Sequence, residues 1–328
     1  MKDPMLLVTM PADDRIRAVI ARTVGGSARI VHLSDVPAGG RRAALDEATV
    51  VLARNTRDEL APDELPLIFG ARLLQFVTAG VDHIPLSGFP DSLPIACNGG
   101  GYAEPMAEHA VAMTFAAAKR LVVEHKKLER GEFDQFRPNR MLAGATCGIL
   151  GFGGIGVATA RLMRALGLKV HAVNRSGRTA EPVDWIGSTG DLAQLLAAAD
   201  VLVLSLPLTR ATAGLIGARE LSRMKPDAIL VNLARGEIVD EAALYAHLVA
   251  NAAFTACIDA WWVEPVRHGC FRMDHPFMTL PNVVASPHNS ASVKGWRETA
   301  IARAVANAVR VFKGEAPRHL VAASDRMN

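Results

Sequence analysis

Cysteine is scarce in this chain and shows no pairing pattern. The 328 residues hold four, Cys97, Cys147, Cys257 and Cys270, at spacings that match neither a disulfide framework nor a zinc site. They are expected as reduced thiols of a cytoplasmic protein. His268, Cys270 and His275 lie near one another without a standard ligand spacing, so no metal is expected. Long apolar runs are missing too. None approaches the roughly 20 residues of a membrane span, and the few apolar residues beside Asp3 and Pro4 are too few for a signal-peptide core. Residues 324–328 carry no targeting signal. No basic run is interleaved with aromatics, and the net charge of +3 comes from scattered arginines. Neither nucleic acid nor a membrane is an expected partner. There is no tandem repeat and no low-complexity stretch. What remains is an ordinary globular balance, half apolar and 21% charged, at a length that suggests about two domains.

The informative run is Gly151-Phe152-Gly153-Gly154-Ile155-Gly156. It follows an apolar stretch, 146–150, that reads as a buried strand, and it opens a helical segment, 157–166. That is the context a dinucleotide fingerprint requires. The first glycine permits the tight turn, the second lets the backbone approach a pyrophosphate, and the third lets helix pack on strand. The helix N-terminus offers free N–H groups and positive dipole to the anion. A second strand, 169–173, ends where an NAD enzyme normally carries an acid for the ribose 2′-hydroxyl. Here stand Asn174, Arg175, Ser176 and Arg178. Two guanidiniums and a hydroxyl suit a 2′-phosphate that a carboxylate would repel. The expected cofactor is NADP(H), with NAD(H) as the alternative.

Short strands at 5–10, 28–33, 49–54 and 73–78 alternate with helical or irregular segments, which implies a parallel sheet covered on both faces. Asn98-Gly99-Gly100-Gly101 breaks that pattern. A long helix is expected from Glu104-Pro105 to about Gly131, with small residues such as Ala107, Ala110 and Ala118 on one stripe. Beyond 146–150 and 169–173, strands are expected at 201–206, 229–233, 254–258 and 283–285. That makes six, the number of a full doubly wound dinucleotide fold. A last amphipathic helix, 293–312, returns to the first domain. The expected fold is therefore α/β, with two Rossmann-like, doubly wound parallel-sheet domains. A cofactor domain (101–291) is inserted into a flavodoxin-like substrate domain (1–100 plus 292–328). The small-residue stripe motivates a homodimer through the helix 104–130.

Three later segments bring polar residues to the C-terminal ends of parallel strands, where open α/β sheets bind ligands. Val231–Glu241 carries Arg235, Cys257–Pro265 carries Asp259 and Glu264, and Leu280–Ala291 carries His288. Arginine grips a carboxylate with two hydrogen bonds. Histidine exchanges protons near neutral pH. A carboxylate on its other ring nitrogen orients it and favours its charged form. Together they suffice for hydride transfer to a 2-keto acid. Each residue also has a plainer reading: surface arginine, helix cap, packed histidine. His109 reads as structural, Asp82 and His83 as turn residues. Trp261 and Trp262 stay open between core packing and a pocket wall.

These segments, with "QFVTAGVDHIP" (75–85), "AEPMAEHA" (103–110) and "LPLTRATAGLI" (206–216), resemble the D-isomer-specific 2-hydroxyacid dehydrogenase family, in particular its NADP-preferring glyoxylate/hydroxypyruvate reductases. The resemblance implies Arg235, Glu264 and His288 as catalytic residues. It implies Pro207, Thr212, Ala234 and Asp259 on the cofactor, with Asp259 at the nicotinamide carboxamide. The N–H groups around Ala79, Gly80 and Val81 would receive the substrate carboxylate. The implied partner is a small 2-keto or 2-hydroxy acid. Alternatives are a corepressor-like dinucleotide-sensing protein and a dehydrogenase of a small anion such as phosphite. The chain departs from the family in a longer segment, 266–274, and in the paired tryptophans. Glu264 rather than glutamine argues against the formate dehydrogenase branch.

Overall fold

Short aliphatic strands set the architecture of the protein, described over residues 3–327 in a computed structural model. Met1, Lys2 and Asn328, which the readings of the two chain ends include, lie outside the described residues. The chain divides into two units. One holds residues up to Tyr102 and from Val293 onward, and the other is Ala103–Ser292.

The first unit is a parallel sheet of β1 (Met5–Val8), β2 (Arg29–His32), β3 (Val50–Ala53), β4 (Leu73–Phe76) and β5 (Ile95–Ala96), in the order β2-β1-β3-β4-β5. This is a flavodoxin-like order. Successive side chains go to opposite faces. Met5, Leu7, Val51, Leu74 and Phe76 pack with Leu45 and Ile68 on one side. Leu6, Val8, Val50 and Leu52 pack on the other with Ile16 and Ile20 of the Asp14–Val24 helix and Ile301 and Val305 of the Trp296–Phe312 helix. Burial on both faces explains the unbroken apolar runs. Strand β5 was not among the expected strands. It has two residues, too few for any periodicity, and its outer edge is bridged antiparallel by Leu320 to Ala96.

The second unit is a seven-stranded parallel sheet, not the expected six. Its strands are β6 (Thr146–Leu150), β7 (Lys169–Val173), β8 (Trp185–Gly187), β9 (Val201–Leu204), β10 (Ile229–Asn232), β11 (Thr255–Ile258) and β12 (Val283–Ala285), in the order β12-β11-β10-β9-β6-β7-β8. The added strand, β8, has three residues, again below what a pattern can reveal. From β6 the chain first grows the sheet one way through β7 and β8, then returns to β9 on the other side. The switch point of this Rossmann-like sheet thus lies between β6 and β9.

The expected helix over 104–131 is two helices, Ala103–Ala118 and Leu121–Glu129. Arg120, at φ 55°, takes the left-handed conformation between them. No glycine or proline marks the break. It is held instead by Arg140, whose N–H donates to Ala118 O and whose carbonyl accepts Lys119 Nζ. The small residues Ala107, Ala110, Thr114 and Ala118 are buried within their own unit, where the helix packs on the Gly154–Ala165 helix and on β10 and β11. The following helix buries no residue. Among the described residues no helix is long and apolar enough to cross a membrane.

Candidate active site

The glycine run occupies the switch point of the second sheet. Gly151 follows β6 at φ 98°, and a Cβ there would meet the backbone of Ser205 and Leu206, 2.6 Å from Leu206 N. A Cβ on Gly156 would run into Gly151 O, and Ser205 Oγ donates to that same carbonyl at 2.7 Å. Gly153 faces open space. It begins the Gly154–Ala165 helix with no side-chain cap, so the first-turn N–H groups, Gly154, Ile155 and Gly156 among them, are available to an anion. The cradle fits a dinucleotide pyrophosphate.

At the end of β7, Asn174 organises the next turn. Its Oδ1 accepts from the N–H and hydroxyl of Ser176, both at 3.1 Å, and its Nδ2 donates to Arg178 O at 2.8 Å. Arg175, Ser176 and Arg178 are exposed, and no carboxylate stands among residues 174–178. After β9, Thr212 Oγ1 donates to Pro207 O at 2.7 Å and accepts Thr209 N–H at 2.8 Å. Its hydroxyl therefore shapes the Pro207 loop from within.

Beyond β10 the turn is built by a residue that pattern reading passed over, Asn232. Its Oδ1 accepts Ala234 N–H and its Nδ2 donates to Arg235 O. Arg235 is half-buried and extended, with Nη1 donating to Ala234 O at 2.8 Å. Gly236 is required because any Cβ would collide with the Trp261–Trp262 peptide.

Asp259, just past β11, is fully buried. Its Oδ1 accepts Ser286 Oγ at 2.5 Å and Asn289 N–H at 3.2 Å. Oδ2 is buried without a hydrogen-bond partner among the described residues. A buried carboxylate oxygen left open in this way suits an amide donor such as a nicotinamide carboxamide. His109 Nε2 lies 3.0 Å from Ser286 Oγ. Ser286 gives its proton to Asp259, so His109 is the donor in that bond. Ser286, absent from the sequence reading, also accepts the Trp261 indole N–H through its carbonyl. Trp262 donates to Val239 O and stacks on Phe277. Both indole N–H groups are thus bonded internally, and Trp261 is 4% exposed.

Glu264 and His288 meet. His288 Nδ1 is 2.8 Å from both Glu264 oxygens. Burial would raise the Glu264 carboxyl, but the hydrogen bond and charge of His288, the Trp261 N–H and the charge of Arg235 outweigh it and hold the group below the usual carboxylate range. An ionised Glu264 only accepts, so Nδ1 carries the ring's bonded proton. His288 sits at φ 50°, fixed by its N–H on Asp259 O at 2.9 Å. Its Nε2 makes no hydrogen bond among the described residues.

Ala79, Gly80 and Val81 lie in the other unit, in the turn after β4. Their N–H groups carry no hydrogen bond among the described residues.

Comparison with known proteins finds a family model and relatives that match this chain. The family model of the D-isomer specific 2-hydroxyacid dehydrogenase, NAD binding domain, matches residues 111–290. A D-3-phosphoglycerate dehydrogenase of Archaeoglobus fulgidus is 34% identical over 218 residues, 66% of this chain and 40% of that protein. The chain thus spans less than half the length of that curated relative. A glyoxylate/hydroxypyruvate reductase B of Pectobacterium carotovorum is 35% identical over 226 residues, 66% of this chain and 68% of that protein. Among solved structures, that of a putative formate dehydrogenase from Pyrobaculum aerophilum is 26% identical and covers 98% of this chain and 100% of its own, with a TM-score of 0.79. The family match runs through all seven strands of the second sheet and both partners of the Glu264–His288 pair, and on that ground the chain belongs to the D-isomer specific 2-hydroxyacid dehydrogenase family.

Proposed function

We propose that this protein is an NADPH-dependent reductase of small 2-keto acids, glyoxylate and hydroxypyruvate first among them, working as a cytoplasmic homodimer. The observation that carries the reading is the 2.8 Å contact of His288 Nδ1 with both oxygens of Glu264. That contact leaves Nε2 as the ring atom able to give a proton to a developing alkoxide. Glu264 holds the protonated ring. Arg235, beside the pair, grips the substrate carboxylate and polarises the carbonyl. The second unit takes the cofactor. Its Gly151–Gly156 cradle receives the pyrophosphate, Asp259 Oδ2 the carboxamide, and Arg175, Ser176 and Arg178 the 2′-phosphate. The bound cofactor supplies the hydride. In the first unit, the N–H groups of Ala79, Gly80 and Val81, which carry no hydrogen bond among the described residues, are suited to a carboxylate. Four free cysteines accord with a reducing compartment.

The test is a steady-state assay of the protein with NADPH and NADH against a panel of 2-keto acids. Turnover of glyoxylate or hydroxypyruvate with NADPH is the expected result. Activity confined to NADP⁺ reduction by phosphite or formate, or dinucleotide binding with no turnover, would replace the proposal with the small-anion or the regulatory alternative.

A further inference from the structure

The segment that departs from the family, 266–274, begins with a short helix, Pro265–His268, directly after Glu264. Glu264 is its N-cap residue, extended at φ −123° and ψ 148°, and its own N–H lies outside the helical ladder. That N–H donates to His268 Nδ1 at 3.0 Å. In return His268 N–H donates to Glu264 O at 2.8 Å. The two residues are closed into a ring from both sides. Only the back-reaching half of a capping box is present, one residue later than usual, with an imidazole in place of the carboxylate or amide, and the Glu264 side chain caps nothing and stays free for His288. For Nδ1 to accept, the ring's proton sits on Nε2.

The helix is anchored apart from this bond. Arg267 Nη1 lies 2.7 Å from Glu237 Oε1, tying the helix to the turn that follows Arg235. Gly269, at φ 73°, ends the helix with its N–H on Pro265 O. Further along, Arg272 bridges to Val263, and Asp274 N–H donates to Glu241.

From this geometry we infer that His268 is a positioning residue for the Glu264–His288 pair. The inference rests on the reductase reading for its kinetic consequence, not for its structural one. The Glu264 side chain is fixed at its far end by Trp261 N–H, 2.7 Å from Oε1, and by His288. Its near end is the backbone that His268 pins. Without an acceptor at Nδ1, the Glu264 N–H is left unpaired in a half-buried turn and the backbone can rotate to find water. Such a rotation moves the carboxylate that must hold both of its oxygens on one imidazole nitrogen.

The test compares His268→Ala, His268→Asn and His268→Gln in the full chain. Asparagine places its amide oxygen where Nδ1 was. Glutamine, of similar bulk, places its oxygen nearer Nε2 and supplies no acceptor at the right point. The first readout is the NMR resonance of the His288 Nδ1 proton, deshielded by the carboxylate and observable without turnover. It should move upfield or be lost to exchange in the alanine and glutamine variants and keep its place in the asparagine variant. The second readout is kinetic. Alanine and glutamine should lower kcat for keto-acid reduction about two- to tenfold, the scale of one lost hydrogen bond, with KM little changed. They should also move the alkaline limb of the pH profile to lower pH, and asparagine should restore both. An unmoved His288 resonance in both the alanine and glutamine variants overturns the inference. So does an asparagine variant that behaves like alanine. If the wild type reduces no keto acid while the resonance still responds in this order, the positioning role stands and the reaction assignment falls.

Discussion

Glu264 presents both carboxylate oxygens to His288 Nδ1 at 2.8 Å, so the ring is held in one orientation by a charge. Reduction needs a proton on His288, and an ionised partner favours the charged ring. Glu264→Gln keeps a hydrogen-bond acceptor but removes the charge. The alkaline limb of kcat/KM for reduction should therefore move to lower pH, by about one unit for each 1.4 kcal/mol of lost stabilisation. Glu264 itself is held below the ordinary carboxylate range. The stabilisation its charge gives the pair is full above that ordinary range and is lost as pH falls through the lowered value. A pH profile of wild type and variant checks this, and an unmoved alkaline limb would separate Glu264 from the histidine's proton.

The two other residues should divide differently between binding and chemistry. His288→Ala removes the positioned acid and should lower kcat by about 10²–10⁴. Arg235→Lys should mainly raise KM, because an ammonium cannot reproduce the two-pronged grip on a carboxylate. Steady-state kinetics on the keto acid that turns over best separates the effects. An Arg235→Lys variant with unchanged KM and a collapsed kcat would contradict a binding role.

Much of this was legible in the sequence because the informative signals are local. A strand–glycine–helix junction announces itself in six residues, and polar residues at strand ends stand out against apolar runs. The strands that went unseen, β5 and β8, are two and three residues long and carry no period. The break at Arg120 was hidden because a left-handed arginine is imposed by tertiary bonds from Arg140, not by its own identity. Asn232, Ser286 and His268 were missed for a related reason. Asn232 and His268 bond chain neighbours and Ser286 bonds Asp259, which folding brings near, and in each case a lone amide, hydroxyl or imidazole has no pattern to betray it. Thr212 is the converse case. Its likeness to the family points to the cofactor, while its hydroxyl is spent inside the loop.

Cofactor choice should follow the turn after β7. Arg175 and Arg178 are exposed there, on a turn that Asn174 and Ser176 hold in shape. A charge-assisted bond to a 2′-phosphate contributes about 1.5–3 kcal/mol, roughly ten- to a hundredfold in affinity. The ratio of kcat/KM for NADPH over NADH should exceed one by that order, and Arg175→Ala should lower it through NADPH alone. A wild-type ratio at or below one would remove the claim.

A homodimer is expected, through the exposed end of the 104–130 stretch and the residues after it rather than through its small-residue stripe. The small-residue stripe is buried in its own unit, whereas Leu121, Leu128, Phe133, Phe136 and Met141 are exposed large apolar side chains within one stretch of chain. Apolar exposure gathered in this way marks an interaction surface more often than a free one. Light scattering at micromolar concentration should give about twice the 35.0 kDa of one chain. The double variant Leu121→Glu, Leu128→Glu, which touches no buried position, should shift the mass toward one chain. A wild-type monomer would refute the expectation.

The four thiols should report the fold directly. A thiolate, not a thiol, attacks a disulfide reagent, so rate depends on access and on how far burial raises the thiol. Cys270 is exposed on the 266–274 segment, whereas Cys147 and Cys257 are buried and Cys97 is largely covered. Burial pushes the Cys147 thiol up to about 12 and raises Cys257 and Cys97 as well. Cys257 Sγ is further held at 3.4 Å from Met113 O. Native protein treated with an aromatic disulfide reagent near neutral pH should therefore release one equivalent quickly, a second slowly, and two only on unfolding. Protein in concentrated urea should release all four at once. Cys270→Ser should abolish the fast phase and leave the others unchanged. If the native protein instead loses two thiols at the fast rate, or keeps its fast phase in the Cys270→Ser variant, then a strand or turn around Cys97, Cys147 or Cys257 opens more readily than its packing implies.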